Sequence, residues 1–286
     1  MSTNTRSEFH GQGIAFSGAG HLTVGRDIII GGQNSSDQDK QFLSDLYSTD
    51  PRDDKRRIER TKGGLLRDSY QWILEHNDFC RWRDNDESRL LWVKGDPGKG
   101  KTMLLCGIID ELGNLPADAG TMAYFFCQAT DGRLNSAMAV LRGLVYLLLV
   151  QKPFLIASIR QKYDHAGKQL FEGVNAWDAL SKILHDLLEG PTLRRVYLII
   201  DALDECETNL SQLLRLVVRL SSSSSSGMRL IVSSRNWPII EEALGDATQK
   251  TRLSLELNRQ SVSIAVGRYI RFKVDQLARL KRYDDE

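Results

Sequence analysis

Apolar and polar positions follow three different patterns along the chain. Residues 1–36 are rich in Gly, Ser and Asn and contain only small apolar clusters, whereas residues 37–88 are charged and favour helix. From residue 89 to residue 286, short apolar runs alternate with longer amphipathic ones. This alternation predicts strands separated by helices, which is typical of an α/β domain.

The short apolar runs of the third part predict five strands. Most are apolar on both faces, as strands of a parallel sheet are when helices cover both sides. The last run alternates between apolar and polar residues, which suits the edge of a sheet. The predicted strands are residues 90–94, 122–127, 196–201, 229–234 and 252–257.

Helical patterns separate these strands and follow the last of them. The predicted helices are residues 101–112, 135–150, 153–163, 176–188, 209–220 and 262–280. The expected fold is therefore α/β: a doubly wound, mostly parallel five-stranded sheet with flanking helices, preceded by a helical segment and a flexible or β-prone tail.

The sequence GDPGKGKT connects the first strand to the first helix and matches the phosphate-binding pattern G-x-x-x-x-G-K-[ST]. Its glycines let successive N–H groups turn toward an anion, and the following helix adds its positive end. Lys101 is expected to neutralise the β- and γ-phosphates, and Thr102 to offer its hydroxyl to Mg²⁺. The alternative is a glycine-rich turn with an incidental lysine. The predicted nucleotide-binding residues are Gly95, Asp96, Pro97, Gly98, Lys99, Gly100, Lys101, Thr102 and Met103.

An acidic cluster follows the third predicted strand, in the sequence LIIDALDE. Asp201 ends that strand, at the edge of an α/β sheet where ligands bind, and is expected to reach Mg²⁺ directly or through a water. Asp204 or Glu205 could orient the attacking water, and the sequence does not choose between them. A solvated acidic turn that caps the next helix is the alternative interpretation.

Arg235 directly follows the fourth predicted strand. An arginine at the tip of a neighbouring strand can sense the γ-phosphate and stabilise negative charge there. Arg235 therefore joins Lys101, Asp204 and Glu205 as a candidate catalytic residue. A surface arginine without such a role is the alternative.

Together these motifs resemble the NACHT domain of fungal STAND proteins, the NLR-like receptors that include vegetative-incompatibility proteins. GDPGKGKT resembles their Walker A motif, LIIDALDE their Walker B motif and IVSSRNWP their sensor-1 strand, within a similarity over roughly residues 42–275. The resemblance implies an ATP/ADP switch in self/non-self recognition or programmed cell death. ADP holds the resting form, exchange for ATP permits homo-oligomerisation, and slow hydrolysis resets the switch. It also places residues 52–64 near the adenine and ribose.

Charge and composition narrow the classes of partner. The formal net charge is +1, which gives no electrostatic footprint for nucleic acid or for an anionic membrane. No apolar run approaches the roughly 20 residues that span a bilayer, and the N-terminus lacks the apolar core of a secretory signal. The 4 scattered cysteines form no C-x-x-C pair, which fits a reduced, cytoplasmic protein.

Glycines at positions 11, 18, 25 and 32 follow a seven-residue step in the first part of the chain. Glycine opposes helix, and the residues between are largely β-formers, which indicates cross-β stacking. The segment resembles the amyloid-forming signalling motifs of some fungal NLR-like proteins, which template a matching motif on a downstream effector. A disordered tail or a single β-hairpin is the alternative.

Three functions remain open: a nucleotide-controlled signalling switch, a conventional P-loop ATPase or kinase with a second substrate, and a nucleotide-binding module without turnover. The predicted division is a tail (1–36), a helical linker (37–88) and the NACHT domain (89–286). STAND proteins normally continue into a winged helix and a repeat array. No repeat of about 20–50 residues is visible in this sequence, so neither region is expected within it.

Overall fold

Five parallel strands form one sheet in the computed structural model, which describes residues 33–116, 120–222, 227–245, 247, 250–256 and 258–281. The strands are β1 (Leu90–Lys94), β2 (Thr121–Phe126), β3 (Val196–Asp201), β4 (Met228–Ser234) and β5 (Lys250–Ser254). They pair in the order β2-β3-β4-β1-β5. This confirms the predicted α/β fold class. The predicted tail lies almost entirely outside the described residues.

The strand bounds agree closely with the hydrophobic pattern. β1 and β3 have the predicted bounds, while β2 and β4 differ at their ends by a single residue. β5 lies at the edge of the sheet, as its alternation indicated, but it ends at Ser254 rather than at residue 257. Leu255 and Glu256 form a turn instead. The N–H of Leu255 still donates to the Lys94 carbonyl at 3.0 Å, and the Glu256 carboxylate accepts from the N–H of Asp96 in the loop that follows β1.

Parallel strands require crossover connections, and helices supply them here. The helices of the described part are α1 (Gln33–Leu46), α2 (Pro51–Thr61), α3 (Gln71–Leu74), α4 (Asn77–Asp84), α5 (Lys101–Gly113), α6 (Ala137–Gln151), α7 (Ile156–Ala166), α8 (Gln169–Glu172), α9 (Ala176–Glu189), α10 (Leu210–Ser221), α11 (Pro238–Gly245) and α12 (Arg259–Lys281). The predicted helix at residues 153–163 is a 3-10 turn followed by α7.

The central strands and α6 are buried in one hydrophobic core. Within the described residues no single helix is both long and apolar enough to cross a membrane. Taken together, α6 and Pro153–Arg160 have the necessary length and composition, but the two helices are bent by 113° relative to each other. Most of α6 is buried against β2 and α9.

The helices before β1 share this core. Phe42 and Leu46 of α1 are fully buried, and the Phe42 ring meets the Phe171 ring edge-on at 5.4 Å. The Arg142 guanidinium of α6 donates to the carbonyls of Asp45, Leu46 and Tyr47, which satisfies the end of α1. α1 is thus anchored to the face formed by α6 and α8, while the predicted division between linker and domain stays a prediction.

The all-parallel sheet has one functional consequence. The carboxyl ends of all five strands meet at the same edge, so the segments that follow β1, β3, β4 and β5 are neighbours. In open α/β sheets ligands bind at this edge, where the strand order reverses. The predicted phosphate loop, acidic cluster and arginine all follow strands that end there.

Candidate functional site

A cavity of about 320 Å³ opens where β1, β3 and β4 end. Residues 97–103 of the loop line it together with Asp201, Asp204, Glu205 and Arg235. Gly95 and Asp96 are not among the lining residues, but their carbonyls accept hydrogen bonds from Lys101, which is. The structure therefore brings the predicted motifs together at one site, while their chemical roles stay predictions.

The loop between β1 and α5 presents backbone donors to this cavity. Gly98 and Gly100 have φ angles of 77° and 80°, in the left-handed region that favours glycine. α5 begins at Lys101, and among the described residues no side chain caps its first N–H groups. A helix start with free N–H groups is an anion-binding arrangement.

The ammonium group of Lys101 lies back on its own loop. It donates to the carbonyl of Gly95 and, at 3.0 Å, to that of Asp96. Burial lowers the pKa of Lys101, and the nearby Asp204 and Asp201 carboxylates oppose that shift. Both acceptors of the ammonium are neutral carbonyls, so an anionic phosphate is the stronger partner for it.

Asp201 is deeply buried, with 2% of the whole residue exposed against 6% for Asp204. Burial raises the pKa of this carboxyl, and hydrogen bonds from the hydroxyls of Ser233 and Thr102 oppose the shift. Ser233 also accepts from the N–H of Ala202 at 2.9 Å, which fixes its hydroxyl toward Asp201. A hydroxyl and a carboxylate oxygen in contact fit Mg²⁺, which binds few protein ligands and keeps waters and phosphate oxygens for the rest. Thr102 and Asp201 are the residues that would hold it.

Asp204 and Glu205 lie in different surroundings. The Asp204 carboxylate accepts from the N–H of Arg235 at 2.9 Å and pairs with its Nε at 2.9 Å. Glu205 accepts from the N–H of Ala129 at 3.3 Å and lies 3.7 Å from the Arg235 guanidinium. The side chain of Asp204 is 2% exposed and that of Glu205 is 34% exposed. Asp204 therefore holds Arg235, and Glu205 is the acid with access to water.

A second, mainly apolar cavity of about 290 Å³ adjoins the first and shares Gly98, Gly100 and Met103 with it. Tyr70 forms part of its wall and is held by α5: a Cβ at Gly107 would lie 2.3 Å from Tyr70 Cγ, and the Tyr70 hydroxyl donates to Glu111 at 3.1 Å. An apolar cavity beside a phosphate loop suits a nucleoside base. The rest of its lining includes Lys62, Gly64, Trp72, Leu255, Val262, Ala265, Val266 and Tyr269.

With the geometry established, comparison with known proteins assigns the family. Residues 68–235, more than half of the chain, match the family described as Nephrocystin 3, N-terminal. The chain belongs to this family. The matched region contains the phosphate loop, Asp201, Asp204, Glu205 and Arg235.

A curated relative narrows the kind of family member. The chain is 58% identical over 247 residues to the vegetative incompatibility protein HET-E-1 of Podospora anserina, a match that covers 86% of this chain. It spans 18% of that relative's length. With the Nephrocystin 3 N-terminal match, this confirms the resemblance to a fungal NACHT-type protein.

Two solved structures are similar at a lower level. The Drosophila ORC bound to DNA has a TM-score of 0.36 at 15% identity, covering 82% of this chain and 51% of that one. PCH-2 of C. elegans has a TM-score of 0.33 at 12% identity, covering 74% and 46%. The fold assignment of this Nephrocystin 3 N-terminal family member therefore rests on its own strand order.

The resemblance implied that residues 52–64 lie near the adenine and ribose, which stays a prediction, and the structure places only the end of this segment beside the two cavities. α2 itself packs on β2 and α5, where Lys55 pairs with Asp110 at 2.6 Å. Only Lys62 and Gly64, just after α2, line the cavities. The consecutive glycines Gly63 and Gly64, which follow the charged sequence of α2, could have indicated this loop.

Several residues of the site were missed by the sequence interpretation. Ser233 lies within the quoted IVSSRNWP motif, two residues before Arg235, so its place near the end of a predicted strand was the available signal. Glu256 accepts from the N–H of Asp96 at 2.6 Å, across 160 residues of chain. Tyr70 and Trp72 of the apolar cavity lie at the start of α3, whereas Tyr269 comes from α12, and no sequence spacing joins the two sides.

Proposed function

We propose that this chain binds ATP and ADP with Mg²⁺ and works as a nucleotide-controlled signalling switch. The observation that carries the proposal is the convergence of the phosphate loop, Asp201, Glu205 and Arg235 on one cavity that adjoins a cavity of base size. The phosphates would lie on the N–H groups at the start of α5, with Lys101 leaving the carbonyls of its own loop to neutralise them.

The magnesium and hydrolysis roles follow from the surroundings of each acid. Thr102 and Asp201 would hold Mg²⁺, which supplies positive charge to the phosphate oxygens when bound. Glu205, the more exposed acid, would orient the attacking water. Asp204 would keep Arg235 aimed at the cavity, where its guanidinium stabilises charge that develops on the γ-phosphate.

The switch part of the proposal is supported by the relative. HET-E-1 is named a vegetative incompatibility protein, and the match to it covers 86% of this chain. We therefore propose that the chain acts in heterokaryon incompatibility, a form of fungal innate immunity, in the cytoplasm. ADP would hold it at rest, and ATP would allow copies of it to assemble.

The first experiment is to purify the chain, identify any nucleotide that copurifies, and measure ATP turnover with Lys101→Ala as the control. We expect bound ADP or ATP in the wild type, none in the variant, and a turnover far below the roughly 1–100 per second of kinases. Fast turnover that depends on an acceptor would instead show a conventional enzyme. Tight ADP without any turnover would show a binding module.

We also propose that the glycine-stepped tail, residues 1–36, carries the output of the switch. Its β-forming residues between regular glycines support templating of a matching motif on a downstream effector. A peptide of residues 8–36 should raise thioflavin-T fluorescence after a lag that preformed seeds shorten. A peptide that stays monomeric and unstructured at high concentration would contradict this role.

A further inference from the structure

α12 supplies one wall of the apolar cavity. Val262, Ala265, Val266 and Tyr269 face it from α12, opposite Met103 at the start of α5. Past these residues the helix exposes large apolar side chains, among them 55% of Ile270 and 57% of Leu277. The C-terminal half of α12 is thus largely exposed. The contacts that it does make therefore determine the position of this wall of the cavity.

A hydrogen bond joins α12 to the opposite side of the cavity. The Tyr269 hydroxyl donates to the carbonyl of Lys62 at 2.7 Å. The next residue, Gly63, has a φ of +88°, and a Cβ on it would lie 2.7 Å from the Tyr269 oxygen. Lys273, one turn further along α12, has its side chain against the same glycine. The loop after α2 therefore has a glycine, Gly63, at the position where the Tyr269 hydroxyl approaches its backbone.

The near end of α12 is attached differently. Asn258, just before the helix, shares a hydrogen bond with His76 at 3.0 Å and donates to the Ser254 carbonyl at 2.8 Å. Glu256 accepts from the N–H of Asp96 in the phosphate loop. The N-terminal end of α12 is thus fixed to the sheet edge, and Tyr269 holds the part of the helix that covers the cavity.

We propose that Tyr269 is a nucleotide-positioning residue, whose bond to Lys62 holds α12 as a lid over the nucleoside base. The proposal rests on the proposed nucleotide-binding function and adds a regulatory link to it. Lys62 lines both cavities, so a bound nucleotide and the docked α12 stabilise the same loop. By linkage, the factor by which docking of α12 raises nucleotide affinity equals the factor by which nucleotide favours docking.

The test compares Tyr269→Phe with the wild type in binding of ADP and of inorganic tripolyphosphate, which has phosphates but no base. The variant keeps the ring and removes one O–H. We expect ADP affinity to fall about three- to tenfold, the size of one hydrogen bond, with tripolyphosphate affinity unchanged. Tyr47→Phe is the matched control, because it removes the same group from an exposed ring on another face of the chain.

Gly63→Ala provides a second variant and a double-mutant cycle. Its Cβ would clash with the Tyr269 oxygen, so its effect on ADP affinity should be smaller when Tyr269→Phe is also present. Amide hydrogen exchange of residues 259–281 gives an independent readout. ADP should slow that exchange in the wild type and slow it less in Tyr269→Phe.

The outcomes separate this proposal from the function beneath it. If the wild type binds neither ADP nor tripolyphosphate, the nucleotide function itself fails. If the wild type binds ADP and Tyr269→Phe binds it equally well, the lid is wrong while the function stands. An equal loss of ADP and tripolyphosphate affinity would also overturn the lid, because it would show a general structural role for Tyr269.

Discussion

Replacing Glu205 by glutamine should leave ADP binding unchanged and slow ATP hydrolysis by about 100-fold or more, the usual contribution of a general base. Glutamine keeps the size of the side chain and its hydrogen bond from the Ala129 N–H, but it cannot accept a proton from water. Single-turnover release of phosphate from the purified chain, beside a titration with ADP, measures both quantities.

Asp204→Asn is the matched comparison, because it removes a neighbouring carboxylate that faces Arg235 instead of water. The buried Asp204 receives both the N–H and the Nε of Arg235, so its loss should displace the arginine and weaken ATP binding together with turnover. If Asp204→Asn alone stopped hydrolysis and Glu205→Gln ran at the wild-type rate, the assignment of the two acids would be reversed.

Asp201→Asn should remove the Mg²⁺ dependence of nucleotide binding. With wild-type protein, ATP affinity should rise when Mg²⁺ is added. With Asp201→Asn that gain should shrink by at least about tenfold, since even residues that only orient a metal's ligands cost about 10- to 100-fold when they are lost. Calorimetric titration of ATP with Mg²⁺ or with a chelator gives the comparison.

Ser233→Ala is a smaller change at the same site. It leaves the Asp201 carboxylate in place and removes the hydroxyl that donates to it and accepts from Ala202. We expect a smaller loss of the Mg²⁺ effect than in Asp201→Asn. An Asp201→Asn variant with a full Mg²⁺ response would show that this carboxylate does not reach the metal.

The strands and the phosphate loop were accessible from sequence because their determinants are local. β1 is a short apolar run that ends in a glycine motif, and its bounds follow from that pattern alone. β5 was placed too far along the chain, because Leu255 and Leu257 continue the alternation by which it was recognised. After Ser254 the chain turns, and the Glu256 carboxylate accepts from the N–H of Asp96 in the phosphate loop, a tertiary contact that leaves no periodic signal.

The roles of the acids and the walls of the apolar cavity depend on such distant contacts. Asp204 and Glu205 are adjacent and chemically alike, and what distinguishes them is their burial and their contacts with Arg235 and Ala129. Tyr70 and Tyr269 are far apart in sequence and meet because α12 returns across the sheet edge after β5. The sequence could therefore predict which edge of the sheet holds the site, but not which residues line the apolar cavity beside it.

The anchoring of α1 has a consequence for assembly. Arg142 donates hydrogen bonds to the carbonyls at the end of α1, and Arg160 pairs with Asp39 in the middle of α1 at 2.7 Å. The described part of the chain therefore begins with a helix that is fixed to the domain. If copies of this domain gather in the ATP state, their N-terminal segments meet at an effective concentration on the order of millimolar, set by the spacing of the domains. Avidity of that size lets a motif too weak to pair on its own respond sharply to the number of copies assembled.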